Sequence, residues 1–382
     1  MSLPNFFIKI PYSLVGPGSI SKLPELIKEM DGTRVLIVTD NGVKEAGLLH
    51  TLIESIKNSG CHYSTYDECM PNTPSGNIDQ CAKKAIEEQT DLLIGIGGGS
   101  VIDTTKIVSL LAANSLEMSD IIGAPTMPSK ALAKIIIPTT SGTGSEWSRL
   151  ALYTDEADGR KKMFRGMKVF ADAVIIDPEL TLGMPQRVTA DTGIDALTHA
   201  IEAYTSSTAH TVGDSFSETA IQMVSCNLLR VYNNGKDLEA RYNMSIAASL
   251  AMEAMTVEGG GLAHMIDASI IAKAHISHGA ALAIILPHVM EYDIPANVDR
   301  YARLATLMGA KMSGLSLDEA AALSVQTFKK LCSDLGMKHK LSQVGIKSDD
   351  IPAMVENVLK FGGARLAPHK AEDITSILKA AL

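Results

Sequence analysis

Asp195 and His199 stand four residues apart in T-G-I-D-A-L-T-H-A-I-E-A-Y, and His264 and His278 follow well downstream. On an α-helix, positions i and i+4 face the same way, so a carboxylate and an imidazole at this spacing can reach one ion together. An isolated Asp–His pair of this kind is more often a solvated pair on a helix surface. Two further histidines make it the outline of a mononuclear metal site. Asp with three His is a mixed oxygen and nitrogen set, suited to Fe(II), Zn(II) or a similar borderline divalent ion. Four protein ligands with a further open position would let such an ion act as a Lewis acid on a substrate oxygen. The set carries a geometric condition. One straight helix over 264–278 would hold the two imidazoles about 21 Å apart, so the chain must bend between them.

A second kind of chemistry is written in two glycine turns. The apolar run 91–97 leads into Gly97-Gly98-Gly99-Ser100 and then into the helical Val101-Ile102-Asp103-Thr104-Thr105-Lys106. A glycine turn between strand and helix brings backbone N–H groups close to a pyrophosphate, at the positive end of the helix. Asp103, in the first turns of that helix, is counted with this set. The second turn, Thr139-Thr140-Ser141-Gly142-Thr143-Gly144-Ser145-Glu146, follows the run 134–140 and gathers hydroxyls suited to phosphate and ribose. Either could be a plain tight turn. Two of them at the ends of parallel strands indicate a ligand, because open α/β sheets bind ligands there. Asp40 ends R-V-L-I-V-T-D, where a carboxylate can accept from ribose hydroxyls and would repel a 2′-phosphate, favouring NAD and leaving NADP as the alternative. An ordinary strand-end aspartate is the competing reading.

The elements that must position these groups change character along the chain. Runs 34–40, 91–97 and 134–140 are too apolar to alternate, as expected of parallel strands covered on both faces. Amphipathic stretches at 42–58, 75–89 and 100–113 lie between them, so the first half predicts an open α/β sheet. After Met184-Pro185 the texture turns to Ala, Leu, Met and Glu with helical periodicity, as near 187–206, 212–232, 237–256 and 316–335. Seven or eight helices are expected there. The predicted architecture is an α/β dinucleotide-binding domain over 1–184 and an all-helical metal-binding domain over 185–382, with the active site in the cleft between them.

Composition excludes several classes. A chain of 382 residues is long enough for two domains, and 46% hydrophobic content supplies a large core. The net charge of -9 argues against a nucleic-acid partner and leaves small molecules. Five scattered cysteines, without a C-x-x-C, predict neither a disulfide framework nor a thiolate zinc site, hence a reducing cytoplasm. The N-terminal residues lack the pattern of a signal peptide, and no apolar run reaches the roughly 20 residues of a membrane span.

Taken together, the motifs resemble the iron-containing (group III) alcohol dehydrogenase family. The matching stretches are G-G-G-S-V-I-D-T-T-K (97–106), P-T-T-S-G-T-G-S-E (138–146), I-I-D-P-E-L-T (175–181), G-M-P-Q-R-V-T-A-D-T-G-I-D-A-L-T-H-A-I-E-A-Y (183–204) and G-A-A-L-A-I-I-L-P-H-V-M-E-Y (279–292). They run in family order over nearly the whole chain. The resemblance implies a two-domain, commonly oligomeric dehydrogenase that uses NAD(P) and one divalent metal, Fe(II) before Zn(II), to interconvert a small alcohol with its aldehyde. It implies Asp195, His199, His264 and His278 as metal ligands. For the cofactor it implies Gly97, Gly98, Gly99 and Ser100, Thr139, Thr140 and Thr143, Asp40 at the adenosine ribose, Asn72 in M-P-N-T-P, and Lys162 (or, with a one-residue slip, Lys161) near the nicotinamide. A homodimer or higher oligomer is expected, and the β-rich F-F-I-K-I-P-Y could pair across it.

The chain also departs from the family. Relatives usually carry a further His four residues after the third ligand and a Gly three residues later; here Ala268 and Ile271 stand there, and Ser277 replaces a common Pro. That histidine's proton-relay role therefore falls to another group, with Asp267 and His275 as candidates. Near the C-terminus G-A-R-L-A-P-H replaces an Asn-Pro-Arg run. Asp267, Lys273 and His275 would together make a polar wall suited to a substrate with a polar or anionic group. The alternatives are a glycerol-dehydrogenase-like or dehydroquinate-synthase-like enzyme of the same fold, and a non-catalytic cofactor-binding relative.

Overall fold

In the first half of the chain, β1 (Tyr12–Val15), β2 (Arg34–Val38), β3 (His62–Tyr66), β4 (Leu92–Gly97), β5 (Ala133–Pro138) and β8 (Ala173–Ile176) form one parallel sheet in the order β1-β8-β5-β4-β2-β3. β6 (Leu150–Asp155) and β7 (Arg160–Arg165) form a separate antiparallel hairpin. The computed structural model describes residues 7–57, 59–124, 126–362 and 369–382. It comprises two compact units, Lys9–Met184 and Pro185–Leu382, the described residues Phe7 and Ile8 grouping with the second. The stretch 363–368, which holds most of G-A-R-L-A-P-H, and Phe6 of the N-terminal arm lie outside the described residues.

β4 is buried along its whole length, which is why its sequence does not alternate. One face, with Leu36, Val38 and Leu93, packs with Ile78, Cys81, Val101 and Val108. These come from α4 (Ser75–Glu87) and α5 (Gly99–Asn114). The opposite face, with Val35, Ile37, Ile94 and Ile96, packs with Leu23, Ile27, Leu52 and Ile56. Those belong to α1 (Leu23–Glu29) and α3 (Leu48–Ile56). Helices on both faces force every strand residue inward. The expected helix over 42–58 is broken: α2 (Asn41–Glu45) ends before Gly47, whose φ of 78° starts α3 afresh. Only glycine takes that left-handed conformation without a Cβ clash. α6 (Met118–Ile121) completes this unit.

The second unit is helical throughout: α7 (Gln186–Tyr204), α8 (Thr211–Asn233), α9 (Leu238–Glu258), α10 (Leu262–Ala274), α11 (His278–Asp293), α12 (Val298–Leu307), α13 (Leu317–Asp334), α14 (Ile351–Gly362) and α15 (Ala371–Ala380). That is one helix more than the expected upper count among the described residues. One continuous core of Ala, Leu, Ile and Met joins them. No described helix is long and apolar enough to cross a membrane.

Candidate active site

The strand order sets where the first unit can bind a ligand. β2 pairs with β3 on one side and β4 on the other, so the loops after β2 and β4 diverge and leave a crevice at their carboxyl ends. A cavity of about 670 Å³ lies there, lined among others by Asp40, Gly42, Cys69, Gln80, Gly98 and Ser100. Asp40 caps α2, with Oδ1 accepting from the Val43 N–H at 2.9 Å. Its second oxygen is not used in that cap. Gly97 and Gly99 are required by close approach: a Cβ would come 2.6 Å from Val101 Cγ2 at the first and 2.7 Å from Thr143 Cγ2 at the second. Gly99 therefore lets the two glycine turns touch, and the Thr139 N–H donates to the Gly97 carbonyl at 3.0 Å. Asn72, at a φ of 62°, donates its N–H to Ser100 Oγ at 3.2 Å and accepts from the Thr154 hydroxyl at 2.7 Å.

Two residues of the predicted cofactor set are engaged elsewhere. Asp103 is buried under the turns, accepting from Ser145 Oγ at 2.5 Å and from the Leu152 N–H at 3.0 Å. It fastens α5 to β6 rather than facing a ligand. Lys162 is drawn away by Asp155 Oδ2 at 2.5 Å and Asp158 Oδ2 at 2.9 Å. Side chains alternate along a strand, so Lys161 points to the other face, directly across from Thr154, whose hydroxyl reaches Asn72. The one-residue slip thus fits the geometry better than Lys162. Sequence reading missed Lys106. Its buried ammonium donates to the carbonyls of Ser145 at 2.5 Å, Leu150 at 2.7 Å and Ser148 at 3.1 Å. Burial draws it down to about 8, against the pull of Asp103 and Glu146. One cation beneath the second turn sets that turn's backbone.

In the helical unit, Asp195 and His199 do share a face of α7, and both are buried. The bend required between the last two histidines is present: α10 ends at Ala274, His275 takes a φ of 53°, and α11 begins at His278. The imidazoles then converge on one atom. Nε2 of His278, His264 and His199 lie 3.2, 3.3 and 3.6 Å from Asp195 Oδ1. His199 and His264 stack with ring centroids 4.4 Å apart. Behind them stand two further carboxylates. Glu202 Oε2 meets His264 Nδ1 at 2.5 Å while its Oε1 accepts from the Ala263 N–H at 2.6 Å. Asp267 Oδ2 is in ion-pair contact with His278 Nδ1. Glu202 follows His199 by three positions on the same face of α7, a signal available in H-A-I-E but not read from it.

The electrostatics of this cluster call for a cation. Burial opposes every charge here, yet the charge of His278 and the hydrogen bonds of His264 and His278 hold Asp195 well below the carboxylate range. Against the same burial, Glu202 and Asp195 push His264 up to about 10, and Asp267 and Asp195 push His278 up to about 9. Burial wins only at His199, drawn down to about 3. Ligand atoms of Asp195, His199 and His264 lie within 4.8 Å of one another, with His278 reaching the group at Asp195 Oδ1, and this donor set with its surplus buried negative charge fits a divalent ion.

The polar wall expected from Asp267, Lys273 and His275 does not form. Lys273 pairs with Asp350 Oδ1 at 2.7 Å, Asp267 stands behind His278, and His275 is exposed at the end of α10. Asp267 is 2% exposed and turned to a ligand candidate, so it does not present itself as a proton relay.

Comparison with known proteins gives the same picture over the whole chain. The model of the iron-containing alcohol dehydrogenases matches residues 11–178, and that of the C-terminal part of the same family matches 189–382. A sulfoacetaldehyde reductase of Bilophila wadsworthia is 34% identical, with 92% of this chain and 91% of that protein covered. An NAD-dependent methanol dehydrogenase of Bacillus methanolicus is 32% identical, covering 99% of this chain and 100% of that protein. A crystal structure of 1,3-propanediol oxidoreductase superimposes with a TM-score of 0.95 at 31% identity, covering 99% of this chain and 100% of that one. With both halves matched in order, the chain belongs to the iron-containing alcohol dehydrogenase family, as an NAD- and metal-dependent alcohol dehydrogenase.

Proposed function

We propose that this enzyme interconverts a short aldehyde and its primary alcohol, with Asp195, His199, His264 and His278 holding a single Fe(II) and with NAD rather than NADP as the hydride carrier. The observation that carries the reading is the convergence of three Nε2 atoms within 3.2–3.6 Å of Asp195 Oδ1. A divalent ion held there supplies Lewis acidity toward the substrate oxygen. The protein's part is to bind and orient. The N–H groups at the start of α5 and the second glycine turn receive the pyrophosphate. Asp40 accepts from the adenosine ribose, and Lys161 stands on the Asn72 side near the nicotinamide end. Zn(II) is the competing ion, since the donor set holds no thiolate to separate the two.

Relatives named for sulfoacetaldehyde, methanol and 1,3-propanediol support a substrate of few carbons, against one of similar identity named for long-chain alcohols. The substrate's tail finds no ready cation in Lys273, already paired with Asp350. An oligomer through β1 is supported by its position at the sheet edge and by Tyr12, 59% exposed on it. The five cysteines are all free, in keeping with a reducing compartment. The test is turnover of anaerobically purified protein loaded with Fe(II) or Zn(II), using NADH or NADPH and a panel from formaldehyde to hexanal with sulfoacetaldehyde included. Fastest reduction of the short members by the Fe(II)–NADH pair is expected. No turnover with either ion would defeat the proposal.

A further inference from the structure

The metal-site helices are linked by a pattern that runs from one to the next. α7 provides Asp195 and His199 and, three residues on, Glu202, which holds Nδ1 of His264 on α10. α10 provides His264 and, three residues on, Asp267, which lies against Nδ1 of His278 on α11. Each helix thus backs the imidazole of the following one. His199 is different: no carboxylate lies in ion-pair reach of its buried Nδ1 among the described residues, whereas Asp267 Oδ2 stands against His278 Nδ1 as a close ion pair rather than an aligned hydrogen bond.

We infer that Asp267 is a positioning residue that holds the His278 ring with Nε2 turned toward Asp195. This rests on the metal-centre reading above. A carboxylate on Nδ1 fixes both the tautomer and the orientation of a ligating imidazole, and its loss typically weakens metal binding 10- to 100-fold. The geometry makes that role matter most at His278. Its side chain is 35% exposed, against 12% for His264 and 6% for His199, so it has the most room to turn out into solvent. It is also the first residue of α11, three positions after the left-handed His275, so its own helix supplies no preceding turn to pack against it. Asp267 is 2% exposed and cannot touch a substrate; its ion-pair partner among the described residues is His278.

The test uses full-length protein stripped of metal and reloaded anaerobically with Co(II) as an optical probe. Affinity is measured by chelator competition and ligand geometry by the visible absorption bands, for wild type, Asp267→Ala and the isosteric Asp267→Asn. The expected result is a 10- to 100-fold weaker affinity and displaced bands for Asp267→Ala, with a smaller change for Asp267→Asn, whose amide oxygen still accepts from Nδ1. A merely structural aspartate would lower the melting temperature and leave affinity and bands unmoved. Wild-type affinity and spectrum in both variants would overturn the inference and spare the metal centre. Wild-type protein that takes up no Co(II) would overturn the metal centre, and this inference with it.

Discussion

Gly279, the second residue of α11, offers a test of how closely the metal site is gauged. A Cβ built there would collide with the backbone carbonyl of Asp191 on α7 and would lie 2.6 Å from its Cα. Carbon atoms settle at roughly 3.5–4.0 Å, so Gly279→Ala must part the two helices by about 1 Å at this point. His278 precedes Gly279 and Asp195 lies one turn beyond Asp191, so the opening falls between two members of the cluster. Ligand distances in working metal sites hold to about 0.2 Å. A displacement several times larger removes His278 from the set, for a loss of affinity on the order of 100-fold or more. Metal content after anaerobic purification and Co(II) affinity would measure it. Gly183→Ala is the control, since a Cβ there meets nothing within 4 Å. If Gly279→Ala binds metal as tightly as wild type, the helices are not set by this contact and the reasoning fails.

Lys161→Met should weaken NADH use on the order of tenfold, as expected for a lost charge-assisted hydrogen bond. Lys162→Met should leave cofactor kinetics alone and change stability little, since its ion pairs are screened by solvent; the reverse ranking in steady-state kinetics would restore Lys162 to the site. Glu258 supplies a pH test away from the metal. It is 2% exposed at the end of α9, and burial pushes its carboxyl up to about 7, with Asp214 adding to the rise and the His210 N–H and Arg300 opposing it. The folded protein then binds this proton more tightly than the unfolded chain, so stability falls as pH rises from about 4.5 to 7, by on the order of 3 kcal/mol. Glu258→Gln should melt several degrees above wild type at pH 8 and level with it at pH 5. An equal difference at both values would show that the carboxyl is not displaced.

Legibility in the sequence followed the physics of each feature. Runs such as L-L-I-G-I-G could be read because a strand buried on both faces has no polar residue to confuse its pattern. D-A-L-T-H could be read because one helix fixes the relation between its own positions. The break at Gly47 was hidden, since 42–58 keeps an apolar period across a turn that depends on one backbone angle. Asp103 looks like a residue of a phosphate turn because it is adjacent in sequence to one, and Lys106 carries no local signal of its role. Only the fold shows that their partners lie on 145–152, beneath it. Lys161 and Lys162 differ by the phase of a strand, which a motif match cannot supply. The place of Asp267 depends on where α11 returns after His275, a tertiary fact with no local signature.

The backing carboxylates have a consequence for the charge that a substrate meets. Asp195, Glu202 and Asp267 place three negative charges in one buried volume, with three imidazoles among them. A divalent ion with neutral imidazoles leaves that volume one negative charge in excess, in surroundings where screening by water is weak. An uncharged carbonyl oxygen can approach such a centre freely, whereas an anionic group is repelled from it. A substrate with a sulfonate, phosphate or carboxylate tail would therefore be held head first, oxygen to the ion and tail turned away, by the field of the site before any contact with the tail is made.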